Sequence, residues 1–182
     1  MEELQRLKEI VLEKSYREGE FTLSSGKTST YYIDMKQTTL HCEGNYLISK
    51  LLYDLVPEGV VGVGGLTMGA DPLATGLSFY AYIMGRKLNA FYVRKEPKSH
   101  GTSELIEGFN NFKRGDEVII LEDVVTTGQS AWKGVSIARA AGLVVKKVLA
   151  VVDREEGGHE FLKEYDIELK VLLTRTDLSH GL

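Results

Sequence analysis

The chain has 182 residues, of which 43% are hydrophobic, and a formal net charge of −4 at pH 7. This length supports one buried core, so a single domain is expected, and the negative charge argues against broad binding to nucleic acid or to an anionic membrane. The single cysteine, Cys42, excludes an internal disulfide and favours a reducing compartment, and no run reaches the roughly 18 apolar residues of a membrane span. We therefore expect a soluble cytoplasmic protein.

Two amphipathic helices are predicted in the first third of the chain. Leu4, Leu7 and Ile10 recur at helical spacing among charged residues, and apolar residues from Leu47 to Leu55 repeat this pattern. The first 40 residues do not share the strand and helix alternation of the rest. They are predicted to form an appendage.

From residue 60 onwards, short apolar runs alternate with helical segments. Strands are predicted over 60–65, 89–94, 117–123, 144–154 and 167–173, and helices over 71–84 and 130–141. This alternation predicts an α/β fold with a central, mostly parallel sheet and helices on both faces. In such sheets ligands bind beyond the carboxyl ends of the strands, which makes 64–69, 94–101, 122–130 and 153–158 candidate sites.

The segment ILEDVVTTGQS, residues 120–130, carries the most informative junction. Thr126, Thr127 and Gly128 lie where the predicted strand gives way to a helix, so amides and hydroxyls can converge on a phosphate. The preceding Glu122 and Asp123 would repel a phosphate, but carboxylates accept hydrogen bonds from vicinal sugar hydroxyls. A phosphorylated ribose has a phosphate for the turn and hydroxyls for the two acids. The alternative interpretation is an ordinary capped turn without a ligand.

Two other junctions carry charged residues. Arg94, Lys95, Lys98 and His100 lie within seven residues of one another and could form a lid over a polyphosphate or a solvated loop. Arg154 follows a strand and could bind a carboxylate bidentately, or pair with a neighbouring glutamate in solvent.

Several other patterns do not indicate a site by themselves. The glycines of VGVGGLTMG lack the dinucleotide-binding spacing, and SSGKTS lacks the first glycine of a P-loop. His41, His159 and His180 are scattered without metal-ligand spacing. Phe79 and Tyr82 are predicted to be core or interface residues.

The segment VIILEDVVTTGQS resembles the phosphoribosyl pyrophosphate (PRPP) motif of type I phosphoribosyltransferases. The succession of EFTLSSGKTSTYYID, VRKEPKSHG, this motif and VVDREEG is similar to that of the orotate phosphoribosyltransferase family, over about residues 15 to 160. The chain departs from many relatives at Ser24 and from some at Met68, where those relatives have lysine. Its acidic pair is Glu-Asp where Asp-Asp is common.

The resemblance implies a type I phosphoribosyltransferase fold in one domain, residues 1–182, with a hood over roughly 1–40 and a core over roughly 41–175. It implies Mg²⁺-dependent transfer of phosphoribosyl from PRPP to orotate, with pyrophosphate released and Mg²⁺ carried by PRPP rather than bound directly by the protein. It also implies a homodimer whose mobile loop closes across the interface, with no nucleic acid or membrane partner.

The resemblance also implies roles for individual residues. Lys98, His100, Lys95 and Arg94 are expected to act in catalysis, and Thr126, Arg154, Lys27 and Tyr32 to bind orotate, with Tyr31 nearby in the hood. PRPP binding is assigned to Arg94, Lys95, Lys98, His100, Glu122, Asp123, Val124, Val125, Thr126, Thr127, Gly128, Gln129 and Ser130.

Two alternative functions remain open at this point. A purine-specific phosphoribosyltransferase would share the PRPP motif but not the need for Arg154 and a tyrosine-bearing hood. A nucleotide-sensing regulator of the same fold would need a basic nucleic-acid surface, which the acidic composition argues against.

Overall fold

The computed structural model describes residues 2–22, 28–96 and 105–179 of the chain. Within these ranges the helices are α1 (Glu2–Lys14), α2 (Lys36–Thr39), α3 (Cys42–Tyr53), α4 (Asp71–Ile83), α5 (Gln129–Ala140), α6 (Gly158–Lys163) and α7 (Arg175–Ser179). The strands are β1 (Tyr16–Thr22), β2 (Thr28–Ile33), β3 (Gly62–Leu66), β4 (Asn89–Val93), β5 (Ile106–Glu107), β6 (Glu117–Val125), β7 (Val144–Asp153) and β8 (Glu168–Thr174). A 3₁₀ turn covers Phe109–Asn111.

The central sheet has six strands in the order β5-β4-β3-β6-β7-β8. The pairs from β4 to β8 are parallel, and β5 joins the edge of β4 in the antiparallel direction. The predicted mostly parallel α/β sheet is therefore confirmed. The strand order could not be read from the sequence.

Apolar residues cover both faces of this sheet because its strands are doubly buried. On β6, Ile119 and Leu121 belong to the core cluster that contains α3 and α4, whereas Val118 and Ile120 belong to the cluster that contains α5. Successive residues of a strand point to opposite faces, so an uninterrupted apolar run fills two layers at once. The helices thus lie on both faces, as predicted.

The N-terminal 40 residues divide between the core and a separate sheet. Helix α1 buries Leu7, Ile10 and Val11 in the same cluster as α3 and α4. Strands β1 and β2 instead form a two-stranded antiparallel hairpin of their own. The division into a hood over roughly 1–40 and a core over roughly 41–175 stays a prediction.

The structural elements agree closely with the predicted segments, with small shifts at their ends. The strand predicted over 60–65 lies at Gly62–Leu66, and the strand predicted over 117–123 continues to Val125. Val125 is only 2% exposed and packs into the core beside α5, which explains the longer strand. None of the helices in the described ranges is long and apolar enough to span a membrane.

Candidate functional site

Loops from four neighbouring strands meet at the carboxyl edge of the sheet. The amide of Thr67, just after β3, donates to the carbonyl of Val93 at the end of β4 (2.9 Å). The amide of Arg154, just after β7, donates to the carbonyl of Val125 at the end of β6 (2.9 Å). The first hydrogen bond joins the loop after β3 to the end of β4, and the second joins the loop after β7 to the end of β6. Both loops belong to junctions that the sequence identified as candidate sites.

Glu122 lies near the carboxyl end of β6, and one of its carboxylate oxygens lacks a hydrogen-bond partner among the described residues. It is 6% exposed, and its Oε1 atom accepts no hydrogen bond in the described part of the chain. Burial, reinforced by the charge of Asp123 and opposed by that of Lys95, raises the pKa of the Glu122 carboxyl to about 8. A buried carboxylate without a donor is destabilising, so this acceptor is available to a ligand.

Asp123 lies beside it and is also largely withdrawn from solvent. Burial raises its pKa, while the amide of Val124, which donates to Oδ1 at 2.9 Å, and the charge of Lys36 act in the opposite direction. The two acids therefore form a pair of acceptors that receive few hydrogen bonds from the described residues.

The loop after β3 passes directly against this acidic pair. A Cβ atom added to Gly69 would lie 2.6 Å from Asp123 Oδ1, so a side chain there would require the Asp123 carboxylate to shift. The adjacent Met68 is 70% exposed and points away from the core. Glycine at 69 thus allows the loop backbone to contact the acids.

The loop after β6 leads into α5 with its amides available. Gly128 is the N-cap residue, adopts a left-handed conformation with φ of 80° and provides no side-chain cap. Thr127, Gln129 and Ser130 are exposed around the first turn of the helix. Free first-turn amides and hydroxyls at a helix N-terminus are suited to a phosphate.

Val124 and Val125 differ from the other residues predicted to bind PRPP. Val125 is buried and Val124 packs against the core, so only their backbones face the site edge.

Cations surround the acidic pair. Lys95 is exposed, and its carbonyl accepts a hydrogen bond from Lys133 Nζ at 3.2 Å. Lys36 pairs with Asp34 (Nζ to Oδ1, 2.8 Å) and lies near enough to Asp123 to influence its pKa. Sequence reasoning missed Lys36 because a lone lysine after a hairpin strand carries no recognisable pattern.

Arg94 is engaged at the sheet edge. Its Nη1 atom lies 3.0 Å from Glu107 Oε1 in β5, and its amide donates to the carbonyl of Leu105. Lys98 and His100, the other two residues predicted on this loop, lie outside the described residues, as does Lys27.

Arg154 extends from the end of β7 toward the β1-β2 hairpin. Its Nε atom donates to Tyr31 Oη at 3.0 Å, and Nη2 pairs with Glu156 Oε1 at 2.8 Å. The guanidinium carbon also lies 4.9 Å from the centre of the Tyr31 ring. The hairpin thus contributes Tyr31 to this region, whereas Tyr32 is 42% exposed and contacts Phe21.

The turn after β7 also contacts the turn after β6. A Cβ atom on Gly158 would lie 2.4 Å from Val125 Cγ1 and 2.9 Å from the carbonyl oxygen of Thr126. Thr126 and Arg154 are therefore held side by side at the ends of adjacent strands. This edge combines unsatisfied acceptors, free helix amides and a cation for a carboxylate.

Comparison with known proteins gives a consistent result. The chain is 46% identical over 182 residues to the orotate phosphoribosyltransferase of Aquifex aeolicus, covering 98% of each chain. It is 45% identical over 173 residues to that of a Nostoc species, covering 95% of this chain and 84% of the relative. The crystal structure of Mycobacterium tuberculosis orotate phosphoribosyltransferase in complex with PRPP is similar, with a TM-score of 0.80 and 35% identity over 97% of this chain and 99% of that one. No family model matches the chain.

Proposed function

The chain belongs to the orotate phosphoribosyltransferase family, and we propose that the two halves of its site edge divide the two substrates between them. The enzyme transfers the phosphoribosyl group from PRPP to orotate and forms orotidine 5′-monophosphate and pyrophosphate, in pyrimidine biosynthesis. The unpartnered, buried Glu122 oxygen carries the proposal for the PRPP half, because it needs a hydrogen-bond donor that the described residues do not supply.

In the PRPP half, Glu122 and Asp123 accept hydrogen bonds from the ribose hydroxyls. Residues Thr126 to Ser130 bind the 5′-phosphate through amides and hydroxyls at the start of α5. The free N-terminus of α5 and the closeness of the two acids support this division. Val124 and Val125 take part through their backbone only.

In the orotate half, Arg154 binds the carboxylate of the base beside Thr126, with Lys27 and Tyr32 from the hairpin side. The position of Arg154 supports this assignment, because its backbone amide donates a hydrogen bond to the carbonyl of Val125, the residue before Thr126. A guanidinium forms paired hydrogen bonds with a carboxylate, which suits orotate better than an uncharged purine.

Arg94, Lys95, Lys98 and His100 are assigned to the pyrophosphate side. The influence of Lys95 on the pKa of Glu122 supports its place next to PRPP. Arg94 is paired with Glu107, so it would exchange this partner for pyrophosphate oxygens.

Mg²⁺ is expected to arrive with PRPP. The acidic pair offers the oxygen ligands that Mg²⁺ prefers, but in the described ranges no cluster of three or more histidine, cysteine or acidic side chains could hold a metal alone. When bound, the ion neutralises charge on the pyrophosphate.

The chemical step forms a bond from a pyrimidine nitrogen of orotate to C1′ of the ribose as the bond from C1′ to the pyrophosphate oxygen breaks. The nitrogen gives up its proton, which passes to the departing pyrophosphate or to water. The transition state is expected to resemble an oxocarbenium ion, so the protein contributes mainly position, shielding from water and charge. Arg154 and Thr126 orient the base, and the acids and the phosphate loop fix the ribose. Lys98 and His100 act on the leaving group.

We further propose that the enzyme is a cytoplasmic homodimer with its mobile loop shared across the interface. Phe79, Tyr82 and Ile83 lie on one face of α4 and are 68%, 73% and 64% exposed, with the exposed Met84 next to them. An exposed apolar patch of this kind is typical of a protein interface. Sedimentation of the wild type and of Tyr82→Glu tests this, since the charge would weaken a dimer formed through α4.

The activity is tested by mixing the protein with Mg²⁺, PRPP and orotate and following the loss of orotate absorbance. Turnover should require PRPP and stop when a chelator removes Mg²⁺. Conversion of hypoxanthine or adenine without conversion of orotate would contradict the assignment of the base.

A further inference from the structure

We propose that Glu156 is an internal occupant of the orotate carboxylate site. Its carboxylate pairs with Arg154 while orotate is absent, and it leaves when the carboxylate of the substrate arrives. The inference rests on the proposed role of Arg154 in binding orotate.

The buried guanidinium of Arg154 requires a partner. Its side chain is only 12% exposed, and a charge withdrawn from water is strongly destabilised unless it is paired. Glu156 Oε1 lies 2.8 Å from Nη2, and Tyr31 accepts from Nε at 3.0 Å. These two contacts use part of the donor set of the guanidinium and keep it in place.

The two members of the pair differ in how easily they can move. Glu156 has a side chain that is 40% exposed and can turn into water, where its charge is hydrated. Arg154 is held by Tyr31, which is 7% exposed and lies under the guanidinium at 4.9 Å. The arginine therefore stays in position and the glutamate is the part that can leave.

The neighbouring acids of the same turn have other partners. Asp153 Oδ1 accepts from the amide of Glu155 at 2.8 Å, and the Glu155 carboxylate accepts from the amide and hydroxyl of Thr176 at 2.9 and 2.6 Å. Only Glu156, among these three acids, is paired with a residue assigned to substrate. Glu156 Oε1 also accepts a hydrogen bond from Tyr31 Oη at 3.4 Å, a long contact that must break together with the ion pair when Glu156 leaves. Both contacts are made by side chains and differ from the backbone contacts that shape the turn.

The chemistry of orotate favours exchange over addition. Two carboxylates at one largely buried guanidinium repel each other, so the second should displace the first. A pyrimidine without a carboxylate, such as uracil, gives Arg154 no replacement for Glu156. Glu156 thereby favours bases that bring their own carboxylate.

Steady-state kinetics of Glu156→Gln test the proposal. Glutamine keeps the shape and one acceptor oxygen but loses the charge, and neutral hydrogen bonds are about half as strong as charged ones. We expect the KM for orotate to fall about fivefold, while kcat and the KM for PRPP change by less than about twofold. The inhibition constant of uracil as a competitor of orotate should not fall.

Two further variants serve as controls. Glu160→Gln removes the same charge from an exposed position in α6 and should leave the KM for orotate unchanged. Arg154→Ala should raise this KM, and adding Glu156→Gln to Arg154→Ala should give no further change. Thermal melting verifies that each variant is folded.

The outcomes separate this inference from the proposed function. If Arg154→Ala leaves the KM for orotate unchanged, the assignment of Arg154 itself is wrong. If Arg154→Ala raises it but Glu156→Gln raises it too or leaves it unchanged, only the exchange is wrong and Glu156 is a positioning residue. An equal decrease in Glu160→Gln, or an equal decrease for uracil, would also overturn the exchange.

Discussion

The carboxyl ends of β6 and β7 are neighbours in the sheet, but their acidic side chains differ in whether they have hydrogen-bond or ion-pair partners. At the end of β6, Glu122 is buried with an unpartnered oxygen. At the end of β7, Asp153, Glu155 and Glu156 all have hydrogen-bond or ion-pair partners. At the end of β6, Glu122 can accept a hydrogen bond from a ligand without losing a partner. At the end of β7, Arg154 must exchange Glu156 for the ligand. Adjacent parts of one site can thus be prepared for their ligands by different means.

The largest expected effect comes from removing the charge at the end of β6. At a pH above about 8, where Glu122 is ionised, Glu122→Gln should lower kcat/KM for PRPP about 100-fold, because a charged acceptor for the ribose hydroxyls is lost. Steady-state kinetics measure this. Glu117→Gln, at the opposite end of the same strand, is the matched control and should retain wild-type activity; equal loss in both would contradict the role of Glu122.

The pH dependence of the wild type should reflect the same unpartnered acid. Its pKa is raised to about 8, so Glu122 is protonated below this pH and becomes an acceptor as the pH rises. Below the pKa, the ionised fraction increases about tenfold per pH unit, and kcat/KM for PRPP should rise accordingly from pH 6 to 7 and level off above about 8. A flat profile over this range would count against the assignment.

Stability should change in the opposite direction to activity. A folded-state pKa of about 8, above the ordinary value of 4.5, means that the native state binds the extra proton between these pH values. The contribution of Glu122 to stability is therefore complete below pH 4.5 and is lost as the pH rises through about 8.

Glu122→Gln should thus be more stable than the wild type at pH 8, by about 1 to 2 kcal/mol, and not at pH 4.5. Denaturant titration at both pH values measures the difference. A wild type that is equally stable or more stable than the variant at pH 8 would show that Glu122 has a partner after all.

At the end of β7, a smaller effect is expected from Tyr31→Phe. The change removes the oxygen that accepts from Arg154 Nε but keeps the ring beneath the guanidinium. The same oxygen also donates to Glu156 Oε1 at 3.4 Å, a longer contact than the one from Arg154 at 3.0 Å. The KM for orotate should rise about fivefold and that for PRPP should not, because the loss of the shorter hydrogen bond from the charged Arg154 outweighs the loss of the longer one to Glu156. Tyr165→Phe, on the α6 side of the sheet, is the control.

The smallest effect is expected from Thr176→Val. This change removes the hydroxyl that donates to Glu155 but keeps the amide that donates to the same carboxylate. Because the contact is exposed, unfolding free energy should fall by only about 0.5 kcal/mol, and the KM for orotate should change by less than about twofold. A larger increase in this KM would show that α7 helps to set the position of Arg154.

The two strand ends also differ in how far the sequence predicted them. At β6 the apolar run, the acids and the Thr-Thr-Gly turn are contiguous, so one segment contained the strand, the loop and the start of α5. At β7 the partner of Arg154 is Tyr31, which is 123 residues away in the chain. Only the folding of the hairpin against the sheet brings them together.

Other features were not predictable for the same reason. The strand order depends on which apolar runs pair, and the alternation of strands and helices does not specify this. Lys36 follows a hairpin that precedes the core, so its closeness to Asp123 has no local signature. The carboxyl ends of β3 and β6 lie one and two residues beyond the predicted ends, because Leu66 and Val125 are buried.

The loop after β3 finally contains two adjacent positions that would respond differently to substitution. A Cβ atom on Gly69 would lie 2.6 Å from Asp123 Oδ1, so a substitution there would require the Asp123 carboxylate to move. The side chain of Met68, one position earlier, is 70% exposed and does not pack in the core. A single nucleotide change converts a methionine codon to a lysine codon. A cation at position 68 could thus arise in one mutational step, whereas a side chain at position 69 would have to displace the Asp123 carboxylate.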